Sequence, residues 1–340
     1  VGPQSAGAVP GPVCYNKGGT EPTSTDADLV LGYLNPDYFL GGEMSVDIEM
    51  ARTAIKEKIA DPLGIDVITA ARSIRKVIDH SMSDAISQVS VERGEDPRKY
   101  TLVAAGGAGP VHVADLARPL GINQILISRT SSIFCALGSI IADLRHDLVR
   151  SVVVKTSQAG AEKLNITFRE MKTVGDGYLE REGIVADDRY YGKSIDMRYK
   201  GQFHEVELPI SEAELTDEGI ESIVEDFHKK HEELYAYRDI VETEMINLRL
   251  AAYGKVVTPS RKAIVEKSSD AAKYVKGKRD VYFEKKFGFV PTTIYDGDNM
   301  VAGNIVEGPA IIEQKTTTVV VPPMARLEVT EYGDYLVKLK

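Results

Sequence analysis

Thr101–His112, TLVAAGGAGPVH, is the stretch of this chain whose residue types and spacing best suit ligand chemistry. Leu102-Val103-Ala104-Ala105 is a short apolar run, and Gly106-Gly107-Ala108-Gly109 follows without a break. After Pro110, residues Val111, Val113, Ala114, Leu116 and Ala117 recur at helical spacing. The pattern predicts a strand, a glycine turn, a proline at the first helical position, and a helix. Glycines there take positive φ and let another group approach the backbone. The new helix offers unpaired N–H groups and a positive dipole end. A nucleotide or phosphate fits across such a turn. A tight βα turn with no ligand fits the same residues.

A second candidate lies upstream, in Thr23-Ser24-Thr25-Asp26-Ala27-Asp28-Leu29-Val30-Leu31-Gly32. Asp26 and Asp28 have the chemistry to hold a divalent ion or an attacking water. Thr25 or Asp26 equally suits the cap of a short helix that Gly32 ends. The surrounding residues 1–42 are rich in glycine, proline and hydroxyl groups, and long ordered loops of this kind are often functional. The remaining candidates are weaker. His80 flanks a helical stripe, and His146 sits in Arg145-His146-Asp147. His228 and His231 are three apart, between lysines and without a third ligand, and are expected at the surface. Cys135 is expected buried and inert. No CxxC or HExxH spacing occurs, so no metal site is assigned. Asp296-Gly297-Asp298 lacks the rest of a calcium loop and reads as a turn.

These residues need elements to hold them. Residues 47–93 read as helical, broken at Pro62-Leu63-Gly64. The long helix 65–93 starts near Asp66 and carries Ile68, Ala71, Ile74, Ile78, Met82, Ala85, Ile86 and Val89 on one face. Strand 102–105, helix 110–118 and strand 124–128 form the unit of a parallel sheet. Ser131–Arg150 reads as a helix, Val152–Lys155 as a strand, and Leu164–Glu182 as a helix ended by Gly183. Ser194–Tyr199 and His204–Pro209 suggest a hairpin, and Ser211–Glu214 a capping box before another helix. From residue 244 the chain turns to β, with a polar Lys/Ser-rich stretch over 257–278.

The net charge of -10 argues against nucleic acid or an anionic membrane as the main partner. No apolar run is long enough for a membrane span, and the N-terminus lacks the basic and apolar regions of a secretory signal. Two cysteines far apart suit a reduced, cytoplasmic compartment. Opening on Val rather than Met, directly in a Gly/Pro-rich loop, suggests a processed chain or half of something larger.

Several blocks together are more specific than any one motif. VGPQSAGAVPGPVCYNKGGTEPTSTDADLVLGYLNPDYFLGG resembles the opening of the second half of hydantoinase A / 5-oxoprolinase family proteins. IADPLGI, AAGGAGPVH, DMRYKGQFHEVELP and GPAIIEQKTTTVVVPP resemble the same family in the same order. That family includes 5-oxoprolinase, N-methylhydantoinase and the large subunits of acetone and acetophenone carboxylases.

The resemblance implies an α/β fold: the C-terminal part of an actin/hsp70/sugar-kinase-like (ASKHA) nucleotide-binding core, followed by a β-rich α+β C-terminal domain. The expected domains are a second core lobe over 1–155, an α+β domain over 156–256, a linker or surface loop over 257–278, and a β-rich domain over 279–340. It implies ATP and Mg²⁺ as cofactors, with phosphoryl transfer to a carbonyl oxygen. Gly106, Gly107, Ala108 and Gly109 match the family's nucleoside-contacting turn. Asp26 and His112 become the catalytic candidates, with a purely structural His112 equally open.

The family's D-x-G-G-T phosphate loop is absent, and so is its second Gly-rich phosphate loop. Activity is therefore expected only with a partner chain supplying the N-terminal half, and a hydantoinase B-like subunit is a further expected partner. The leading reading is a subunit of a hydantoinase/5-oxoprolinase-type hydrolase of cyclic amides. The alternatives are a subunit of an ATP-dependent ketone carboxylase and a non-catalytic assembly fragment. The substrate is a small carbonyl compound whose identity is not readable from the residues.

Overall fold

The computed structural model describes residues 4–340, which divide into two compact units. One comprises residues 4–138 together with 260–340; the other comprises residues 139–259.

The first unit begins with the Gly/Pro-rich loop and α1 (Ser24–Val30). Next come α2 (Ile48–Ile55), a wider turn at Lys56–Ala60, and the short α3 (Asp61–Leu63), which Gly64 ends at φ +62°. The long α4 (Val67–Val89) starts at Asp66, whose carboxylate accepts from Thr69 N as the sequence suggests. Then β1 (Leu102–Ala104), α5 (Gly109–Ala117) and β2 (Gln124–Ile127) form the expected unit, with β1 and β2 parallel.

Two parallel strands cannot stand alone, and the C-terminal part of the chain completes their sheet. The later strands are β7 (Val275–Tyr282), β8 (Phe289–Asp296), β9 (Ile305–Glu307), β10 (Ala310–Gln314), β11 (Thr317–Val321), β12 (Ala325–Val329) and β13 (Tyr335–Leu339). β13 lies antiparallel to β2, with Tyr335 opposite Ile127 and Val337 opposite Ile125, giving the order β1-β2-β13-β12-β9. A second sheet has the order β11-β10-β8-β7. Residues 279–340 are therefore built into the unit that holds the glycine turn rather than forming a domain of their own. Within the expected linker, Ile264 N donates to Glu331 O at 2.8 Å and Arg261 pairs with Asp334 at 2.8 Å, so it is held along this unit.

Two apolar clusters fill the first unit. One joins α1, α2 and α4 through Leu29, Leu31, Ile55 and Ile74; the other joins the five-stranded sheet through Ile125, Ile127, Leu327 and Tyr335. The buried face of α4 differs from the apolar stripe read in the sequence. Ala71 and Ile74 are buried as expected, but Ala85 and Val89 are exposed, while Arg75, Asp79 and Ser83 are buried. Charged partners on neighbouring helices make that polar stripe the inward one.

The sequence reads one helix over Ser131–Arg150. Instead, α6 (Phe134–Ile141) ends early and Leu144–Lys155 is strand β3. Short apolar runs do not separate the two periods, and pairing along a neighbouring strand decides for β. None of the α6 residues is buried: Phe134, Ile140 and Ile141 are exposed, and Cys135, expected inside, is exposed too.

The second unit contains β3, α7 (Ala161–Arg181), β4 (Arg189–Tyr199), β5 (Val206–Ile210), α8 (Asp217–Tyr235) and β6 (Thr243–Gly254). The sheet order is β3-β6-β4-β5, all antiparallel, over a core including Phe168, Met171, Phe227 and Leu248. Thr216, not Ser211, caps α8 by accepting from Gly219 N at 3.0 Å. His231 is buried rather than at the surface, with Nδ1 3.1 Å from Tyr237 O; His228 Nδ1 is 2.6 Å from the Tyr199 hydroxyl. Both serve an aromatic cluster with Tyr199 and Phe227. Among the described residues no helix is long and apolar enough to cross a membrane.

Candidate functional site

The glycine turn is clamped from two sides. Gly106 has φ +87° and its N–H donates to Ser131 O at 2.7 Å. Thr317 Oγ1 donates to Gly107 O at 2.7 Å, and Ser132 Oγ to Thr316 Oγ1 at 2.8 Å. A Cβ on Gly107 would sit 3.3 Å from Thr316 O, so the turn joining β10 to β11 presses on a position that only glycine fills without displacement. Pro110 falls at the second helical position of α5, since Ala108 is the cap residue. Pro110 lacks an N–H, so the helix gives up no hydrogen bond there.

Asp26 is fully buried. One carboxylate oxygen accepts from Cys14 N at 2.7 Å. The other accepts from Val13 N (3.2 Å), Thr23 N (2.8 Å) and Thr23 Oγ1 (2.9 Å). With Thr23 this is a capping box that ties the N-terminal loop to α1. The geometry gives Asp26 the cap and turns its carboxylate toward the chain's own loop, whereas Asp28, also buried, lines a cavity.

Asp28 and His112 belong to a charge cluster that α1, α4 and α5 assemble. Arg75 Nη1 donates to Asp28 Oδ1 in a close contact, and Nη2 donates to Val111 O at 2.6 Å and Asp115 Oδ2 at 3.0 Å. The guanidinium lies 4.2 Å over the Tyr33 ring. His112 is 6% exposed; its Nδ1 is 2.7 Å from Asp79 Oδ1 and its Nε2 3.3 Å from Asp28 Oδ2. Burial pulls the imidazole pKa down, but hydrogen bonds to Asp28 and Asp79 outweigh it and hold the pKa up at about 9. Burial pushes the Asp28 carboxyl up, yet the Arg75 charge and the His112 hydrogen bond bring it below its usual value. At neutral pH Asp28 is thus a carboxylate and His112 an imidazolium with both N–H groups committed. An imidazolium so held positions charge; it has no free nitrogen to accept a proton.

Asp28 and His112 face a cavity of about 430 Å³. Gly107 and Ala108 form part of its wall, Lys17, Tyr38 and Phe39 another part, and Gln314, Lys315, Thr316 and Thr317 a third. Glu313, also in the wall, is held ionised: burial raises its carboxyl, but Lys276 at 2.6 Å and Arg279 at 3.0 Å bring it below the usual value. Lys17 has no carboxylate partner among the described residues and is exposed. Gln314 is buried, and its Oε1 has no hydrogen-bond partner. Of the residues singled out in the sequence, the fold brings Gly107, Ala108 and His112 together here; Gly106 and Gly109 shape the turn. Sequence reasoning missed Arg75, Asp79, Lys17 and Gln314. The spacing of Arg75 and Asp79, four apart beside Ile74, was the one signal available. Among the described residues no group of three or more His, Cys, Asp or Glu is arranged to hold a metal ion.

A glycine turn at the start of a helix, beside a buried Asp–Arg–His cluster and a cavity, defines an α/β unit. The chain belongs to the hydantoinase/oxoprolinase family: the family's domain matches residues 1–148 and its C-terminal domain matches residues 153–334. It is 36% identical to the caprolactamase subunit alpha of Pseudomonas jessenii, over 98% of this chain and 49% of the relative. It is also 36% identical to the acetophenone carboxylase gamma subunit of Aromatoleum aromaticum, over 98% of this chain and 47% of the relative. The crystal structure of the ATP-dependent caprolactamase from Pseudomonas jessenii superposes with a TM-score of 0.85, covering 99% of this chain and 50% of that one. The chain thus spans about half the length of these relatives.

Proposed function

We propose that this chain forms one wall of the site of an ATP-dependent enzyme that activates a carbonyl oxygen by phosphorylation, with hydrolysis of a cyclic amide as the reaction. The observation that carries the reading is the cavity beside Gly107 and Ala108, whose wall also holds Asp28 and His112. These residues fit the nucleoside end of ATP: a backbone wall without bulk, beside polar side chains. ATP with Mg²⁺, when bound, supplies the phosphoryl group that makes the amide carbon open to attack.

The chain's own residues do the positioning. The Gly107-Ala108 backbone admits a flat ring, and Gln314 forms part of the wall beside it. Lys17 brings a positive charge to the cavity rim. Asp28, kept ionised by Arg75 and His112, presents a fixed negative charge to the cavity and orients a polar substrate group or water. The phosphate loops are assigned to the N-terminal half of the family's length.

The test is ATP turnover by this chain assembled with the N-terminal half. Turnover dependent on caprolactam, 5-oxoproline or hydantoin without bicarbonate supports the hydrolase. The equal identity to an acetophenone carboxylase subunit favours a second reading, ketone carboxylation. Turnover that needs both a ketone and bicarbonate replaces the first reading with the second.

A further inference from the structure

The charge cluster has a second side. Arg75 and Asp79 line a separate cavity of about 260 Å³ in the same unit, which neither Asp28 nor His112 reaches. This volume lies below the ~300 Å³ at which pockets for drug-sized ligands begin, so it suits a small molecule. One stripe of α4 forms its polar side: Arg72, Arg75, Lys76, Asp79 and Ser83, spaced so that they share a helical face. The opposite side is largely apolar, with Leu31, Tyr282, Phe283, Phe287 and Pro322; Asp115 and Glu284 also line the cavity, each paired with an arginine.

The charges here are unevenly satisfied. Arg75 is saturated by Asp28 and Asp115, and Arg118 is paired with Glu284. Arg72 makes one long hydrogen bond, Nη1 to Phe283 O at 3.5 Å, and its guanidinium lies 5.8 Å over the Tyr282 ring. Among the described residues neither Arg72 nor Lys76 has a carboxylate partner. Ser83 is 4% exposed and its Oγ has no hydrogen-bond partner. Two cations without carboxylate partners on one wall, facing an aromatic wall, are complementary to an anion with an apolar body.

We propose that this cavity is a second binding site, for a small carboxylate with an aryl or alkyl body: the carboxylate sits between Arg72 and Lys76, and the body lies against Phe283 and Phe287. The proposal does not depend on the nucleotide reading, because its groups lie on the other side of Arg75 and its test uses no nucleotide.

Benzoate and hexanoate, with benzyl alcohol and hexanol as uncharged controls, are titrated into the whole chain and binding is followed calorimetrically. The expected result is saturable binding of the carboxylates, weakened by added salt, and at least tenfold weaker or absent binding of the alcohols. The double substitution Arg72→Gln, Lys76→Gln is expected to weaken benzoate binding at least tenfold. Lys76→Glu, at an exposed position, is expected to do the same with an unchanged unfolding midpoint. Equal binding of acid and alcohol, benzoate binding insensitive to both substitutions, or no saturable binding of either carboxylate overturns the proposal.

Discussion

His112 Nδ1 lies 2.7 Å from Asp79 Oδ1, and this contact ties the helix behind the glycine turn to the long helix α4. Both sit in the wall between the two cavities, so the charge on His112 is a property of the whole cluster. That charge has a consequence for stability. The folded pKa of about 9 lies above that of an unfolded histidine, so the contribution is fully present below pH ~6.5 and is lost as pH rises through about 9. The difference corresponds to about 3 kcal/mol. Urea unfolding between pH 6 and 10 should show stability falling through this window, and His112→Ala should flatten that slope. A wild-type profile already flat across the window contradicts the assignment.

Arg75→Met should destabilise the chain by about 3–5 kcal/mol, because it leaves Asp115 without its cation and Asp28 with His112 alone. Arg75→Lys should rescue little, since one ammonium cannot reach Asp28, Asp115 and Val111 O together as the planar fork does. Denaturant midpoints of the two variants measure this directly.

Asp26→Ala removes an acceptor for three N–H groups and a hydroxyl, and should cost about 2 kcal/mol or more. Turnover per folded molecule in the assembled enzyme should hardly change. Lost turnover at intact stability would move Asp26 into the chemistry.

Gly106→Ala should cost about 1–2 kcal/mol through its φ of +87°, with no clash, since nothing lies within 4 Å of the added carbon. Gly107→Val acts differently: its branches push the 315–316 turn at Thr316 O and break the Thr317–Gly107 hydrogen bond. It should weaken nucleotide binding in the assembled enzyme, read from a nucleotide titration, more than Gly106→Ala does.

Gln314→Leu should leave stability unchanged or slightly raise it, because it removes a buried oxygen without a partner. The same change should weaken ATP binding several-fold in the assembled enzyme. Opposite signs in unfolding and in binding would mark Gln314 as kept for a ligand; unchanged binding would return it to the wall alone.

The glycine turn, its flanking strand and helix, and the Asp66 start of α4 were legible because they depend on local rules: glycine φ, helix periodicity and side-chain capping. Asp26 and Asp28 illustrate the limit. Two residues apart on a short helix, they look alike in sequence, yet one faces its own loop and the other Arg75 and His112. The hidden face of α4 was misread for the same reason: charged residues are assigned to the outside until partners are known.

By itself, the sequence determined the elements that carry the site, the family, and the residues of the turn. Tertiary structure decided which charges are buried together, that β13 completes the sheet begun by β1 and β2, and that Gln314 and Lys17 share a cavity with the turn. These are contacts between residues far apart in the chain. Their free energy comes from mutual burial and charge compensation, which exist only once the helices and strands have met.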